Sequence, residues 1–141
     1  MSVELFIDTN IFIYQLDTTD PRKQLIAERI VREGIANRNA CISYQVIQEF
    51  LNAAIRRAEV PLDDIAIRTF LVTMLEPLYS VPASIALFQR ALSIRQKIHF
   101  SFYDSLIVAA ALEAGSSRLI SEDMQHGQQI ESLRIENPFR L

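Results

Sequence analysis

The sequence predicts an α/β fold, a central parallel β-sheet flanked by α-helices in three layers. Three observations carry that reading. Short apolar runs alternate with helical segments along the chain, the order of a parallel sheet covered on both faces. The 141 residues, 50% hydrophobic and 22% charged, suit one ordinary core, so residues 1–141 are expected to form a single domain. Glycine and proline are scarce, at 3 and 5 residues, which argues against an all-β protein rich in tight turns.

The elements follow in order. Glu4-Leu5-Phe6-Ile7 is an apolar run that reads as a buried strand, followed by a short helix over about 10–16. Asp20-Pro21 signals a helix start, with Asp as N-cap and Pro at the first helical position. Leu25, Ile26, Ile30 and Val31 recur at helical spacing up to Gly34. Residues 40–43 read as a second strand. A helix over 44–57 follows, with Val46, Ile47, Phe50, Leu51 and Ala54 on one stripe. Pro61-Leu62-Asp63-Asp64 opens a helix to about Leu75, and 77–81 reads as a short strand. Pro82 is expected to open a helix through Ile98. Ser101 caps a helix from Phe102 to Ala114 that stops at Gly115. The segments 118–121 and 134–136 complete the strands.

Bulk properties narrow the function. The single cysteine, Cys41, has no internal disulfide partner and reads as a small core residue, which favours a reducing compartment. Glu4 and Asp8 stand where a signal peptide needs a basic start and an apolar run. The most apolar stretch, Leu106 to Leu112, is far short of the ~20 residues that span a bilayer. A cytoplasmic protein with no membrane partner is expected. The formal net charge of −3 weighs against a plain nucleic-acid binder, except that acids holding a divalent metal make the apo chain look more acidic than the loaded site.

Ligands of open parallel sheets bind at the carboxyl ends of the strands, and four acids map to that edge. Asp8 directly follows the first strand, Asp123 follows Leu119-Ile120 by a short turn, and Asp104 lies in the first turn of an otherwise apolar helix. Glu49 lies about two turns into the helix that leaves the second strand and borders its buried stripe. Each has an ordinary explanation: Asp8 as an N-cap, Ser101-x-x-Asp104 as a capping pattern, Asp123 as the cap of a helix starting at Met124, Glu49 as a solvated residue. Together they are better explained by a cation, because crowded carboxylates repel one another and lose hydration. Mg²⁺ takes oxygen ligands, polarises a phosphoryl oxygen and lowers the pKa of a bound water.

The motifs around these acids resemble the PIN-domain family and, within it, the VapC-type toxin ribonucleases of type II toxin–antitoxin systems. Phe6-Ile7-Asp8-Thr9-Asn10 resembles the family's opening strand and Asp-x-Asn. Gln48-Glu49-Phe50 is similar to its helical glutamate. Phe102-Tyr103-Asp104-Ser105-Leu106-Ile107 resembles its third acid before an Ala-rich helix, and Leu119-Ile120-Ser121-Glu122-Asp123-Met124 its final Ser/Thr-x-Asp segment. The resemblance implies a PIN-like sheet and metal-dependent endoribonuclease activity, with in-line water attack leaving a 5′-phosphate. It implies that Asp8, Glu49, Asp104 and Asp123 bind Mg²⁺ or Mn²⁺, with Asn10 and Ser121 orienting carboxylates and water. It also implies an RNA substrate, a cognate antitoxin and a homodimer. The chain departs from many relatives in having Met124-Gln125-His126-Gly127 after the last acid, and Glu122 stands beside Asp123 as a competing ligand.

Other polar residues have plainer readings. His99 and His126 read as loop residues without a cysteine partner for zinc. Asp63-Asp64 stands at a helix start, where acids are expected. Arg56-Arg57 and Lys97 read as a solvated face, and no aromatic platform for stacking bases is evident. Helices over 22–34 and 61–75 carry more apolar positions than one core face needs, among them Ile65, Ile67, Phe70, Leu71, Val72 and Met74, as a partner groove would require. Three alternatives remain open: a haloacid-dehalogenase-like phosphatase, a non-catalytic PIN-like module binding RNA or protein, and a nuclease acting on structured DNA. Against the phosphatase, that chemistry wants a second acid where Asn10 stands.

Overall fold

The computed structural model describes residues 3–56 and 62–140. Six strands form one sheet: β1 (Leu5–Ile7), β2 (Ala40–Ser43), β3 (Tyr79–Val81), β4 (Arg118–Ile120), β5 (Gln129–Ile130) and β6 (Leu133–Glu136). Their spatial order is β3-β2-β1-β4-β6-β5, and every pairing is parallel except the β5–β6 hairpin. The helices are α1 (Thr9–Leu16), α2 (Pro21–Asn37), α3 (Tyr44–Arg56), α4 (Asp64–Phe70), α5 (Ile85–Ile98) and α6 (Phe102–Glu113).

The order matters more than the count. The chain leaves β1 for β2 and β3 on one side, then returns to place β4 on the other side of β1. That reversal is a topological switch point, where the loops leaving two neighbouring strands part and open a crevice. Phe6 pairs with both Cys41 of β2 and Leu119 of β4, so β1 is central and fully covered. Phe6, Ile7, Cys41, Ile42, Leu119 and Ile120 are all buried, as continuous apolar strands of a parallel sheet should be. Helix α6 is buried from Ser105 to Ala111 and contacts β2 and β4. On α3 the expected stripe faces inward: Val46, Phe50 and Ala54 are buried, and Phe50 stacks on Phe70 with ring centroids 4.7 Å apart. Full burial of each such ring contributes roughly 1.5–3 kcal/mol.

Several boundaries differ from the sequence reading for identifiable reasons. Helix α2 continues past Gly34 to Asn37, where Arg38 takes the left-handed cap at φ 54°. Gly34 is not a stop but a contact, because a Cβ there would lie 2.7 Å from the Ala40 Cβ. Pro82 does not open α5. Ser84 does, its hydroxyl accepting from Leu87 N at 3.0 Å. The helix expected to reach Leu75 ends as α4 at Phe70, and 71–75 continues as a π turn. Thr69 and Thr73 hydroxyls bond the carbonyls of Ile65 and Thr69, competing for acceptors of the regular ladder. Arg57 and Pro61 lie outside the described residues. No helix starts at Met124, and β4 stops at Ile120. The two-residue β5 is too short to show a pattern in sequence, and it makes the one antiparallel pairing among the described strands. No described helix is long and apolar enough to cross a membrane.

Candidate metal and active site

The four acids come from four separate segments around the crevice at the switch point, and Glu49 and Asp123 line it. Asp8 ends β1 and its backbone N–H donates to Ile120 O of β4 at 2.9 Å. The same residue is the N-cap of α1: Oδ1 accepts from Thr9 N at 2.7 Å. Oδ2 accepts from the Ser121 hydroxyl at 2.8 Å. Asp8 is therefore a cap, but a nearly fully buried one, only 7% exposed. Loss of hydration pushes its carboxyl up to about 7, against the lowering effect of the Ser121 and Thr9 hydrogen bonds, with Glu49 and Asp123 adding repulsion.

Glu49, on the sixth position of α3, is half-buried. Thr9 Oγ1 donates to Glu49 Oε1 at 2.6 Å, and Gln45 Nε2 donates to Glu49 Oε2 at 3.1 Å. The Gln45 amide also donates to Tyr103 O at 3.1 Å, tying α3 to the turn of α6 that carries Asp104. Asp104 is half-buried in that first turn, and its backbone N–H donates to the capping Ser101 hydroxyl at 3.1 Å. Burial raises the Asp104 carboxyl, Ser101 moderates the rise, and the charges of Asp123 and Glu49 add to it. Asp123 is exposed and its Oδ2 accepts from Asn10 Nδ2 at 2.9 Å. The two residues expected to orient carboxylates, Asn10 and Ser121, thus contact Asp123 and Asp8.

Glu49 and Asp123 each act electrostatically on both Asp8 and Asp104. Even so, among the described residues no three acid, histidine or cysteine side chains already close on one point. Asp8, Glu49 and Asp123 each accept from a hydroxyl or amide donor instead. The ligand chemistry nonetheless fits a hard divalent cation: every candidate ligand is a carboxylate oxygen, and the buried Asn10 Oδ1 has no hydrogen-bond partner among the described residues. A cleft of about 360 Å³ opens here, lined among others by Thr9, Asn10, Tyr14, Glu49, Glu122 and Asp123.

Sequence reasoning missed Thr9, Gln45, Tyr14 and Lys23. Thr9 lies inside the Asp-x-Asn motif, and Gln45 is one helical turn before Glu49, so both had a local signal. Tyr14 and Lys23 had none, since their contact is with Glu122, about a hundred residues away. Glu122 accepts from the Tyr14 hydroxyl at 2.5 Å and pairs with the Lys23 ammonium. The histidines have structural roles. His99 takes the left-handed cap of α5 at φ 63°, and His126 Nδ1 accepts from Asn137 N at 2.9 Å. Arg56 and Lys97 are exposed.

Fold and site together define an α/β protein with an all-oxygen acidic cleft at the switch point of a parallel sheet. The chain belongs to the PIN-domain family, whose model matches residues 5–128. This is a family of nucleases that generally use a divalent metal. Membership removes the phosphatase alternative. Solved structures with the same fold include VapBC from Salmonella typhimurium bound to DNA, 19% identical, with a TM-score of 0.68 over 96% of this chain and 98% of that one. A toxin–antitoxin complex from Klebsiella pneumoniae is 19% identical, with a TM-score of 0.66 over 98% and 99%. VapC20 of Mycobacterium tuberculosis, a toxin that cleaves the sarcin–ricin loop, is 19% identical, with a TM-score of 0.60 over 85% and 90%. No curated protein matches the chain.

Proposed function

We propose that this chain is the ribonuclease toxin of a toxin–antitoxin pair, an endonuclease that hydrolyses RNA in the cytoplasm with Mg²⁺ or Mn²⁺. The observation that carries the reading is the placement of Asp8, only 7% exposed, beside the same crevice as Glu49 and Asp123, each carboxylate fixed by a hydroxyl or amide donor from another element. A carboxylate kept dehydrated among other acids costs stability unless a cation offsets it. Asp8, Glu49, Asp104 and Asp123 would hold the ion. When bound, it supplies Lewis-acid activation of water and of the phosphoryl group. The protein's own part is orientation. Ser121 and Thr9 N hold Asp8, Thr9 and Gln45 hold Glu49, and Asn10 holds Asp123. RNA as substrate and an antitoxin as partner are supported by the fold shared with VapC and VapBC structures.

A homodimer and an antitoxin groove have narrower support than the apolar count implied. Of the six apolar residues singled out between 65 and 74, only Ile65 and Val72 are exposed, joined by Leu25 on α2. Phe70 is spent on the core.

The test is cleavage of end-labelled RNA, with a structured DNA of equal length beside it, in Mg²⁺ and in EDTA. Metal-dependent RNA cleavage lost in Asp8→Asn supports the proposal, and growth arrest on expression that Asp8→Asn relieves supports the toxin role. The rival reading is a PIN-like module that only binds RNA or protein. A titration in which Mn²⁺ does not bind, with no cleavage of either nucleic acid, would favour it.

A further inference from the structure

Strand β4 ends at Ile120, and its last backbone tie to β6 is the Ser121 N–H to Glu136 O at 3.0 Å, so no strand ladder covers the side chains of 121–123. Each of these side chains is fixed instead to a different anchor. Ser121 reaches Asp8, Glu122 reaches α1 and α2, and Asp123 reaches Asn10. The Glu122 anchor is the most elaborate. Its Oε1 accepts from the Tyr14 hydroxyl and its Oε2 from the Lys23 ammonium. Lys23 sits in the first turn of α2, its backbone N–H bonded to the capping Asp20 at 3.1 Å. Its ammonium lies 4.7 Å from the Tyr14 ring centroid and 5.3 Å from that of Phe139, and those two rings meet edge-on at 5.0 Å. Arg22 Nη2 bonds Phe139 O at 2.6 Å, so the far end of the chain closes the seat. Charge-assisted hydrogen bonds and a cation against two rings make this a fixed position, not a loose surface pair.

The two adjacent acids are therefore unequal. Both oxygens of Glu122 are engaged and its charge is balanced. Asp123 accepts one amide hydrogen bond, and among the described residues no cation is paired with it. We propose that Lys23 is a positioning residue: with Tyr14 it holds Glu122 aside and presents Asp123 to the divalent cation. This inference rests on the metal-site reading above. Lys23 acts through Glu122 and does not touch the reacting atoms.

The experiment is Mn²⁺ binding by calorimetry, beside thermal melts in EDTA and RNA cleavage kinetics. The proteins are wild type, Lys23→Met, Lys23→Arg, Glu122→Gln, Asp123→Asn and the double variant Lys23→Met with Asp123→Asn. Lys23→Met is expected to weaken Mn²⁺ binding about tenfold, the scale of residues that orient metal ligands. Lys23→Arg, which can keep the pair, restores most of that affinity. Glu122→Gln binds Mn²⁺ close to wild type, whereas Asp123→Asn does not. In the Asp123→Asn background, Lys23→Met makes no further difference, because its effect passes through Asp123. Loss of Mn²⁺ binding in Glu122→Gln with retention in Asp123→Asn would overturn the assignment by making Glu122 the ligand. A Lys23→Met protein that binds Mn²⁺ normally, whether its melting temperature falls or its KM for RNA rises, would overturn it as well. Should Lys23→Met not fold, Lys23→Gln carries the same expectation and the same overturning result, and Glu122→Gln beside Asp123→Asn still decides between the two acids. Wild-type protein that takes up no Mn²⁺ sinks the metal reading and this inference together; a normal wild type beside an unaffected Lys23→Met sinks the inference alone.

Discussion

Replacing Asp8 by Asn should make the metal-free protein more stable above neutral pH while abolishing its nuclease activity. Asp8 holds its proton to about 7 in the fold, against an ordinary value of 3.8. The folded protein therefore keeps a proton that the unfolded chain has lost between those two values. The contribution of Asp8 to stability is most favourable below about 4, falls as pH rises from there, and reaches its full loss above about 7. A shift of roughly three units, at about 1.4 kcal/mol per unit, is a penalty on the order of 4 kcal/mol at pH 8.5. Asn carries no charge and keeps the geometry. Its carbonyl still accepts from Thr9 N, and its amide can donate to Ser121 Oγ, whose hydroxyl can turn to accept. The assay is urea denaturation of both proteins in EDTA from pH 5 to 8.5. The advantage of Asp8→Asn should grow across that range by about 3 kcal/mol, since about two of the three units lie above pH 5. A difference that stays constant with pH, or a variant less stable throughout, would refute the idea that a buried charge at Asp8 opposes folding.

Asp104→Asn tests the same physics at a half-buried acid. In EDTA its melting temperature should hold or rise. Mg²⁺ at a hundredfold excess over its dissociation constant should stabilise wild type by ~2.7 kcal/mol and the variant much less. Equal Mg²⁺ shifts with equal RNA cleavage would leave Asp104 as a first-turn helix residue only. Gly34→Ala should destabilise despite its better helix propensity, because the new methyl meets the Ala40 Cβ at 2.7 Å. Overpacking of that kind costs about 1–3 kcal/mol, read as a lower urea midpoint. An unchanged midpoint would mean that α2 moves off the sheet at no cost. Arg118 bridges Glu136 and Glu4 at the opposite end of the sheet, and its guanidinium holds the Glu136 carboxyl below the usual range. That stabilisation is present above the ordinary carboxylate pKa and fades as pH falls through the lowered one. Arg118→Gln should therefore lose stability at pH 7 and little at pH 3, in thermal melts at both. An equal loss at both pH values would point to packing instead of charge.

The sequence by itself determined the elements whose signals are local. Asp20-Pro21 and Ser101 cap helices through their own neighbours, and the stripe on α3 follows from the helical period, so the residue pattern alone predicts them. It likewise put Asp8, Asp104 and Asp123 near strand ends and helix starts. Gly34 misled because a glycine that ends a helix and one that admits a neighbouring chain look alike until the neighbour is known. Only the tertiary structure decided who meets whom. Asp8 bonds Ser121 and Asn10 bonds Asp123, each pair 113 residues apart, because β4 returns to lie beside β1. The same return brings Glu122 to Tyr14 and Lys23, which separates two adjacent acids into one neutralised and one without a paired cation among the described residues. Strand order is a property of long-range pairing, and side-chain partners that depend on it leave no trace in the spacing of residues along the chain.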